Sequence, residues 1–128
     1  MRKKRILIVD DQTELRKLVR MTLDFGDYDL YEAECGQRAL ELAAVIKPDL
    51  LLLDVMMPGA LDGYQVCKKL KETTQGKVPY VILLTARGQK KDLEEGARVN
   101  ADSYMIKPFS PLELIKNVNN SLSSVAFN

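Results

Sequence analysis

The stretch ILIVDD, residues 6–11, joins four consecutive apolar residues directly to two adjacent aspartates. An apolar run without alternation is typical of a strand that is covered on both faces of a parallel sheet. Two neighbouring carboxylates repel each other, and neither is stable in a core without a partner. The stretch therefore predicts a buried strand that carries Asp10 and Asp11 to a polar site at its end.

Strand-like and helix-like segments alternate along the rest of the chain. The other apolar runs are YDLYEA (28–33), DLLLL (49–53), YVILL (80–84) and SYMIK (103–107). Amphipathic segments with helical periodicity cover 13–25, 37–46, 64–72 and 89–99, and a last one starts at Ser110. Five such alternations predict an α/β fold with a parallel sheet and helices on both faces. The length of 128 residues predicts one domain, residues 1–128.

Helix ends are marked by residues with characteristic cap conformations. Gly26 and Asn100 are predicted to end the first and fourth helices in the left-handed conformation. Ser110-Pro111-Leu112-Glu113 is a capping box with proline at the first helical position, which predicts the start of the last helix.

Composition excludes several classes of function. The net charge of +1 indicates neither nucleic-acid nor membrane-surface binding, and the basic run 2–5 is interpreted as a solvated flank. No segment approaches the ~20 apolar residues of a membrane span. The chain has no histidine, which excludes Ser-His-Asp and Cys-His nucleophile systems. Cys35 and Cys67 lack metal-ligand spacing and are interpreted as reduced thiols of a cytoplasmic protein.

Polar residues follow four of the apolar runs at their carboxyl ends. The first run ends in Asp10-Asp11, the third in Asp54, the fourth in Thr85 and the fifth in Lys107. Ligands of open parallel sheets bind outside these strand ends, so the side chains are expected to converge.

Three converging carboxylates need compensation by positive charge. At an effective dielectric near 20, two unit charges about 4 Å apart repel by roughly 4 kcal/mol. A lysine offsets one charge, and a divalent cation offsets two more. Oxygen ligands favour a hard cation, above all Mg²⁺. Carboxylates, a hydroxyl, a lysine and a cation together indicate phosphoryl transfer, in which an aspartate can itself accept the group.

The motifs ILIVDD, LLLLDVMMPGALDG, ILLTA and MIKPF, in this order, resemble the receiver domain of bacterial two-component response regulators. The resemblance covers nearly the whole chain and implies a five-stranded sheet of order 2-1-3-4-5. It implies a phosphorylation-dependent signalling switch, not an enzyme beyond its own phosphorylation and slow dephosphorylation. A sensor histidine kinase or a histidine phosphotransfer protein would donate the phosphoryl group.

The resemblance also assigns roles around the phosphorylation site. Asp54 resembles the phosphoacceptor, and Lys107 the lysine that pairs with the phosphoryl oxygens. Asp10 and Asp11 resemble the acidic pair that positions Mg²⁺, with Asp54 and the Met56 carbonyl as further ligands. The bond that precedes Pro108, directly after Lys107, is cis in the family.

A second group of roles concerns switching and signal lifetime. Thr85 resembles the switch hydroxyl, and Tyr104 the aromatic residue that moves with it. Their movement would change the surface of the fourth helix, fifth strand and fifth helix, where an output partner or weak phosphorylation-dependent dimerisation is expected. Met56 and Arg87 resemble the residues that flank the attacking water. Neither is a small polar residue that orients water, so slow resetting is expected.

Simpler interpretations exist for individual residues. Asp11-Gln12-Thr13-Glu14 fits a capping box, which would make Asp11 a helix cap. Asp54 alone fits a turn before Pro58. The loop 57–63 has one residue more than the family pattern, and altered partner contact is expected there.

Rival functions are a haloacid-dehalogenase-like phosphatase, a flavodoxin-like flavin carrier and a degenerate receiver that only binds a partner. The phosphatase needs Asp-x-Asp after its first strand, where Gln12 stands here. The flavin carrier needs a Ser/Thr-rich phosphate loop at that place. Retention of all the ligand-type residues disfavours the degenerate receiver.

Overall fold

The computed structural model describes residues 3–72, 78–86 and 90–125, which form alternating strands and helices. The elements are β1 (Lys4–Val9), α1 (Thr13–Leu23), β2 (Tyr28–Ala33), α2 (Gly36–Ile46), β3 (Leu50–Asp54), α3 (Gly63–Glu72), β4 (Tyr80–Thr85), α4 (Lys90–Arg98), β5 (Ser103–Ile106) and α5 (Pro111–Val125). The predicted βα alternation is confirmed, with strand and helix bounds that shift by one or two residues.

The five strands form one parallel sheet in the order β2-β1-β3-β4-β5. This is the order that the resemblance implied. The register places Val9 of β1 opposite Leu53 of β3, and Thr85 of β4 opposite Ile106 of β5. The carboxyl ends of β1, β3, β4 and β5 therefore meet at one edge of the sheet.

Alternate strand residues enter two separate apolar layers, because successive side chains point to opposite faces. One layer packs α1 and α5 against strand residues Ile6, Ile8, Leu50, Leu52, Ile82 and Leu84. The other packs mainly α2 and α3 against Leu7, Val9, Leu51, Leu53, Val81 and Leu83. Burying a side chain of this size contributes about 1.5–3 kcal/mol. The apolar runs therefore lack alternation because both of their faces are covered.

The helix caps agree only in part with the sequence expectations. Asn100 is left-handed with φ 63°, as predicted. Gly26 is not left-handed, and α1 already ends at Leu23. A Cβ atom on Gly26 would lie 2.3 Å from the Tyr28 ring, so a larger residue at this position would displace that ring. Lys47 adopts the left-handed conformation after α2 (φ 49°), which was not predicted.

The helix starts also agree only in part with the sequence expectations. The backbone N–H of Glu113 donates to Ser110 Oγ at 3.1 Å, which confirms the predicted cap of α5. The capping role considered for Asp11 is wrong, because Gln12 is the N-cap residue of α1 and has no side-chain cap bond. An unpredicted capping box starts α3, where Asp62 and Gln65 exchange backbone-to-side-chain hydrogen bonds of 2.8 and 2.9 Å.

Hydrogen bonds and an ion pair stabilise the amino end of the sheet. The Arg5 N–H donates to Asp49 Oδ2 at 2.7 Å, and Arg5 Nη1 donates to the Ile46 carbonyl at 2.7 Å. Asp102 accepts the Val81 N–H at 2.8 Å and pairs with Lys71. The interpretation of Arg5 as part of a solvated flank is therefore wrong. None of the helices in the described part of the chain combines the length and the apolar character that a membrane span requires.

Candidate functional site

The predicted site residues converge at the carboxyl end of the sheet. Asp10 directly follows β1, Asp54 ends β3, Thr85 ends β4 and Lys107 directly follows β5. The Lys107 N–H donates to the Thr85 carbonyl at 2.7 Å, which extends the pairing of β4 and β5 by one residue. Parallel register thus brings together residues that lie up to 97 positions apart in the chain.

Lys107 connects two of the three carboxylates. Its Nζ donates to Asp10 Oδ2 at 3.0 Å and to Asp54 Oδ1 at 3.1 Å. One carboxylate oxygen from each of Asp10, Asp11 and Asp54 lies within 4.8 Å of the others. Asp10 and Asp54 are buried, whereas Asp11 is exposed. The cluster therefore opens toward solvent on the side of Asp11.

The electrostatics of the cluster are unbalanced. Three carboxylates and one ammonium group carry a formal charge of −2 when all are ionised. Burial, and then the charge of Asp10, raises the pKa of Asp54 above its ordinary value although Lys107 lowers it. Burial alone would lower the pKa of Lys107, but its contacts with Asp10 and Asp54 together raise it. Lys107 is therefore a stable cation that neutralises the cluster incompletely.

Backbone contacts hold the two buried carboxylates in place. Asp10 Oδ1 accepts the N–H of Gln12 at 2.9 Å, and Asp54 Oδ1 accepts the N–H of Met56 at 3.4 Å. Gly63 packs against the main chain of Asp54, where a Cβ atom would lie 2.2 Å from the Asp54 carbonyl oxygen. A larger residue at position 63 would displace the end of β3, so the glycine serves the site directly.

The donor atoms of the cluster fit a hard divalent cation. Mg²⁺ prefers oxygen ligands and is usually bound by one or two carboxylates together with water and phosphate oxygens. Asp10, Asp11 and Asp54 supply oxygen atoms at compatible separations, and the excess negative charge favours a cation of charge two. The Met56 carbonyl, the fourth expected ligand, belongs to a residue that is 68% exposed beside the cluster.

A cavity borders the predicted switch residues. Its volume is about 300 Å³, and its lining includes Thr85, Tyr104, Tyr64, Leu83 and Gly96. Thr85 is buried, whereas Tyr104 is 46% exposed. The Lys107–Pro108 bond is cis, as the resemblance implied. Arg87, the second predicted lifetime residue, lies outside the described residues.

Two contacts near the acidic pair were not predicted. Arg16 of α1 donates to the Asp10 carbonyl and to Glu32 of β2. Glu32 is the penultimate residue of an edge strand, so it approaches the same end of the sheet. The available signal was a charged residue within β2 and an arginine one turn into α1, but neither forms a recognisable motif.

The comparisons with known proteins agree with this geometry. Residues 6–119 match the response regulator receiver domain family. The transcriptional regulatory protein ResD of Bacillus subtilis is 40% identical over 114 residues, which cover 89% of this chain and 46% of ResD. The transcriptional regulatory protein SrrA of Staphylococcus aureus is 42% identical over 113 residues, which cover 88% and 45%. The chain thus spans about half the length of these relatives.

Solved structures show the same architecture. The chemotaxis response regulator CheY4 of Vibrio cholerae superimposes with a TM-score of 0.86 at 29% identity, over 93% of this chain and 98% of that one. A putative response regulator from Chloroflexus aurantiacus gives 0.88 at 33% identity, over 95% and 99%. The chain belongs to the response regulator receiver domain family of two-component signalling systems. Receiver domains are phosphorylated by histidine kinases and regulate output domains.

Proposed function

We propose that this chain is a Mg²⁺-dependent phosphorylation switch in which Asp54 accepts the phosphoryl group. The observation that carries the proposal is the position of Asp54, buried at the end of the central strand within reach of Lys107 and the acidic pair. The carboxylates of Asp54 and Asp10 repel each other, so their placement side by side is unfavourable unless the site binds a ligand that offsets this repulsion. The donor would be a phosphohistidine of a sensor histidine kinase or a phosphotransfer protein.

The transfer step uses the residues of the cluster in distinct roles. An Asp54 carboxylate oxygen forms a bond to phosphorus as the phosphorus–nitrogen bond of the donor phosphohistidine breaks, and the released imidazole takes up a proton. Lys107, which already contacts Asp54, would pair with the phosphoryl oxygens through charge-assisted hydrogen bonds. Asp10, Asp11, Asp54 and the Met56 carbonyl would hold Mg²⁺, which supplies positive charge to the transferred group.

Labelling with a small phosphodonor tests this assignment. Wild-type protein with radiolabelled acetyl phosphate is expected to gain one hydroxylamine-sensitive phosphoryl group in Mg²⁺ buffer and none in EDTA. Asp54→Asn is expected to reduce labelling at least about 100-fold, since removal of a nucleophile eliminates the covalent step. Asp62→Asn is the matched control, because this carboxylate caps α3 only a few residues away. Labelling of Asp54→Asn to the same extent as the wild type would contradict the proposal.

The same experiment distinguishes the rival functions. A phosphatase would release phosphate continuously instead of retaining one labelled group, and a flavin carrier would be yellow when purified. A degenerate receiver would remain unlabelled under all conditions.

The effect of phosphorylation would be transmitted from the site to the protein surface through Thr85 and Tyr104. The cavity between them gives the Tyr104 ring space to move inward when Thr85 turns toward a phosphoryl group. Gly96 is the buried residue of α4, so this helix is weakly attached to the sheet and well suited to shift. The affected α4-β5-α5 surface would bind an output partner or support a weak dimer of an otherwise monomeric chain.

Hydrogen exchange tests the switch. Beryllofluoride, a phosphoryl analogue, is expected to alter amide exchange in α4 and β5 of the wild type in Mg²⁺ buffer. Thr85→Ala should bind the analogue but transmit a much smaller change, because the hydroxyl that couples site and cavity is missing. Equal exchange changes in both proteins would contradict this route.

A further inference from the structure

Arg16 contacts the main chain of the acidic pair. Its Nη1 donates to the carbonyl oxygen of Asp10 at 2.6 Å, and this carbonyl belongs to the peptide that joins Asp10 to Asp11. Its Nε donates to Glu32 Oε1 at 3.1 Å. The Arg16 side chain is only 15% exposed, so both bonds are partly shielded from water. A charge-assisted bond of this kind is roughly twice as strong as a neutral one.

The orientation of this peptide matters most for Asp11. Asp10 is already held by its own contacts with Lys107 and Gln12. Within the part of the chain that the structure describes, the Asp11 side chain makes no hydrogen bond or ion pair. The direction of its carboxylate therefore depends on the backbone that precedes it.

We propose that Arg16 is a positioning residue that fixes the Asp10–Asp11 peptide so that Asp11 presents its carboxylate to the cation, an inference that rests on the proposed Mg²⁺ site. The planar guanidinium suits this role, because it donates to two acceptors in fixed directions, whereas a lysine ammonium is a single point charge. Glu32 orients the guanidinium and balances its charge, so that Arg16 stabilises the peptide without repelling a divalent cation.

Arg20 provides a matched control on the same helix. It lies one turn further along α1 and donates to the other oxygen of Glu32 at 3.1 Å, and to the Leu30 carbonyl at 3.4 Å. Arg16 and Arg20 thus share Glu32, but only Arg16 reaches the Asp10 carbonyl. Arg16→Ala and Arg20→Ala remove the same charge from the same helix, and only Arg16→Ala removes the bond to the Asp10 carbonyl.

The experiment compares two readouts in wild type and both variants. Calorimetric titration with Mg²⁺ is expected to give a Kd about tenfold higher for Arg16→Ala and less than about twofold higher for Arg20→Ala, as for other residues that orient metal ligands. In EDTA, the Gln12 amide, which donates to Asp10 Oδ1, is expected to exchange several-fold faster in Arg16→Ala only. Arg16→Lys is expected to fall between wild type and Arg16→Ala.

The outcomes separate this inference from the proposed function. Equal Mg²⁺ affinity and Gln12 exchange in the two alanine variants would overturn the positioning role while leaving the metal site intact. A wild-type protein that binds no Mg²⁺ would overturn the metal site and the inference with it. If Arg16→Ala does not fold, Arg16→Lys and Glu32→Gln carry the comparison, and wild-type affinity in both would overturn the role of Arg16.

Discussion

Aspartates lie at both ends of the parallel sheet, and the two ends neutralise them in different ways. At the amino end, Asp49 accepts a backbone N–H from Arg5, and Asp102 accepts one from Val81 and pairs with Lys71. Each of these carboxylates completes the hydrogen bonding of a strand. At the carboxyl end, three carboxylates lie together, a single lysine pairs with two of them, and an excess of negative charge remains.

The carboxylates at the amino end of the sheet therefore serve stability, whereas those at the carboxyl end serve function. Carboxylates that are matched to backbone donors lower the free energy of the folded state. Carboxylates that crowd around too little positive charge raise it, and the cost is recovered when a cation or phosphoryl group binds. We therefore expect substitutions at the two ends to change stability in opposite directions.

The largest effect on stability is expected at the amino end. Asp49→Ala removes the acceptor of the Arg5 N–H from a buried position and should lower the free energy of unfolding by about 3 kcal/mol. Asp49→Asn retains an acceptor oxygen and should cost less. Urea denaturation in EDTA measures both, and an Asp49→Ala variant as stable as wild type would remove the distinction between the two ends.

A smaller effect is expected on the lifetime of the phosphorylated state. Met56 is exposed beside Asp54 and apolar, so it cannot orient a water molecule for hydrolysis. Met56→Asn should speed the decay of phosphorylated protein up to about tenfold, which corresponds to 1.4 kcal/mol in the barrier. Met21→Asn, on α1 and 69% exposed, is the control. Identical decay of wild type and Met56→Asn would show that this position does not control lifetime.

The smallest effect is a gain in stability at the carboxyl end. Asp54→Asn should raise the free energy of unfolding by about 1 kcal/mol at pH 7 in EDTA, since it removes one crowded charge. The pKa of Asp54 is raised in the folded state, so its ionisation destabilises the fold above that pKa. The gain should therefore shrink as the pH falls through the raised pKa and vanish below the ordinary value of 3.8. A pH-independent difference would contradict this origin.

The sequence predicted the carboxyl end of the sheet better than the amino end. Residues at the carboxyl ends of parallel strands must converge, so Asp10, Asp54, Thr85 and Lys107 were placed together from strand positions alone. Asp49 lies directly before β3, at the other end of the strand. Its pairing with Arg5 depends on the register between β1 and β3. Register is set by packing of the whole sheet, which no local motif reveals.

Caps and connecting contacts were harder to predict for a related reason. Lys47 takes a left-handed conformation that favours glycine, and only the need to turn after α2 explains it. Arg16 reaches Asp10 and Glu32 because α1 packs over β1 and β2, a tertiary relationship that helical periodicity does not contain. Local sequence patterns predicted the chemistry of the site, whereas the contacts that support the site could be identified only from the folded structure.

Thermal unfolding with and without Mg²⁺ tests the central claim most directly, because that claim is an excess of negative charge at Asp10, Asp11 and Asp54. Mg²⁺ at about ten times its Kd should raise the Tm of the wild type by roughly 5 °C. Asp54→Asn should melt at a higher temperature than wild type in EDTA and respond less to Mg²⁺. Equal Mg²⁺ responses of the two proteins, together with a lower Tm for Asp54→Asn in EDTA, would contradict the account.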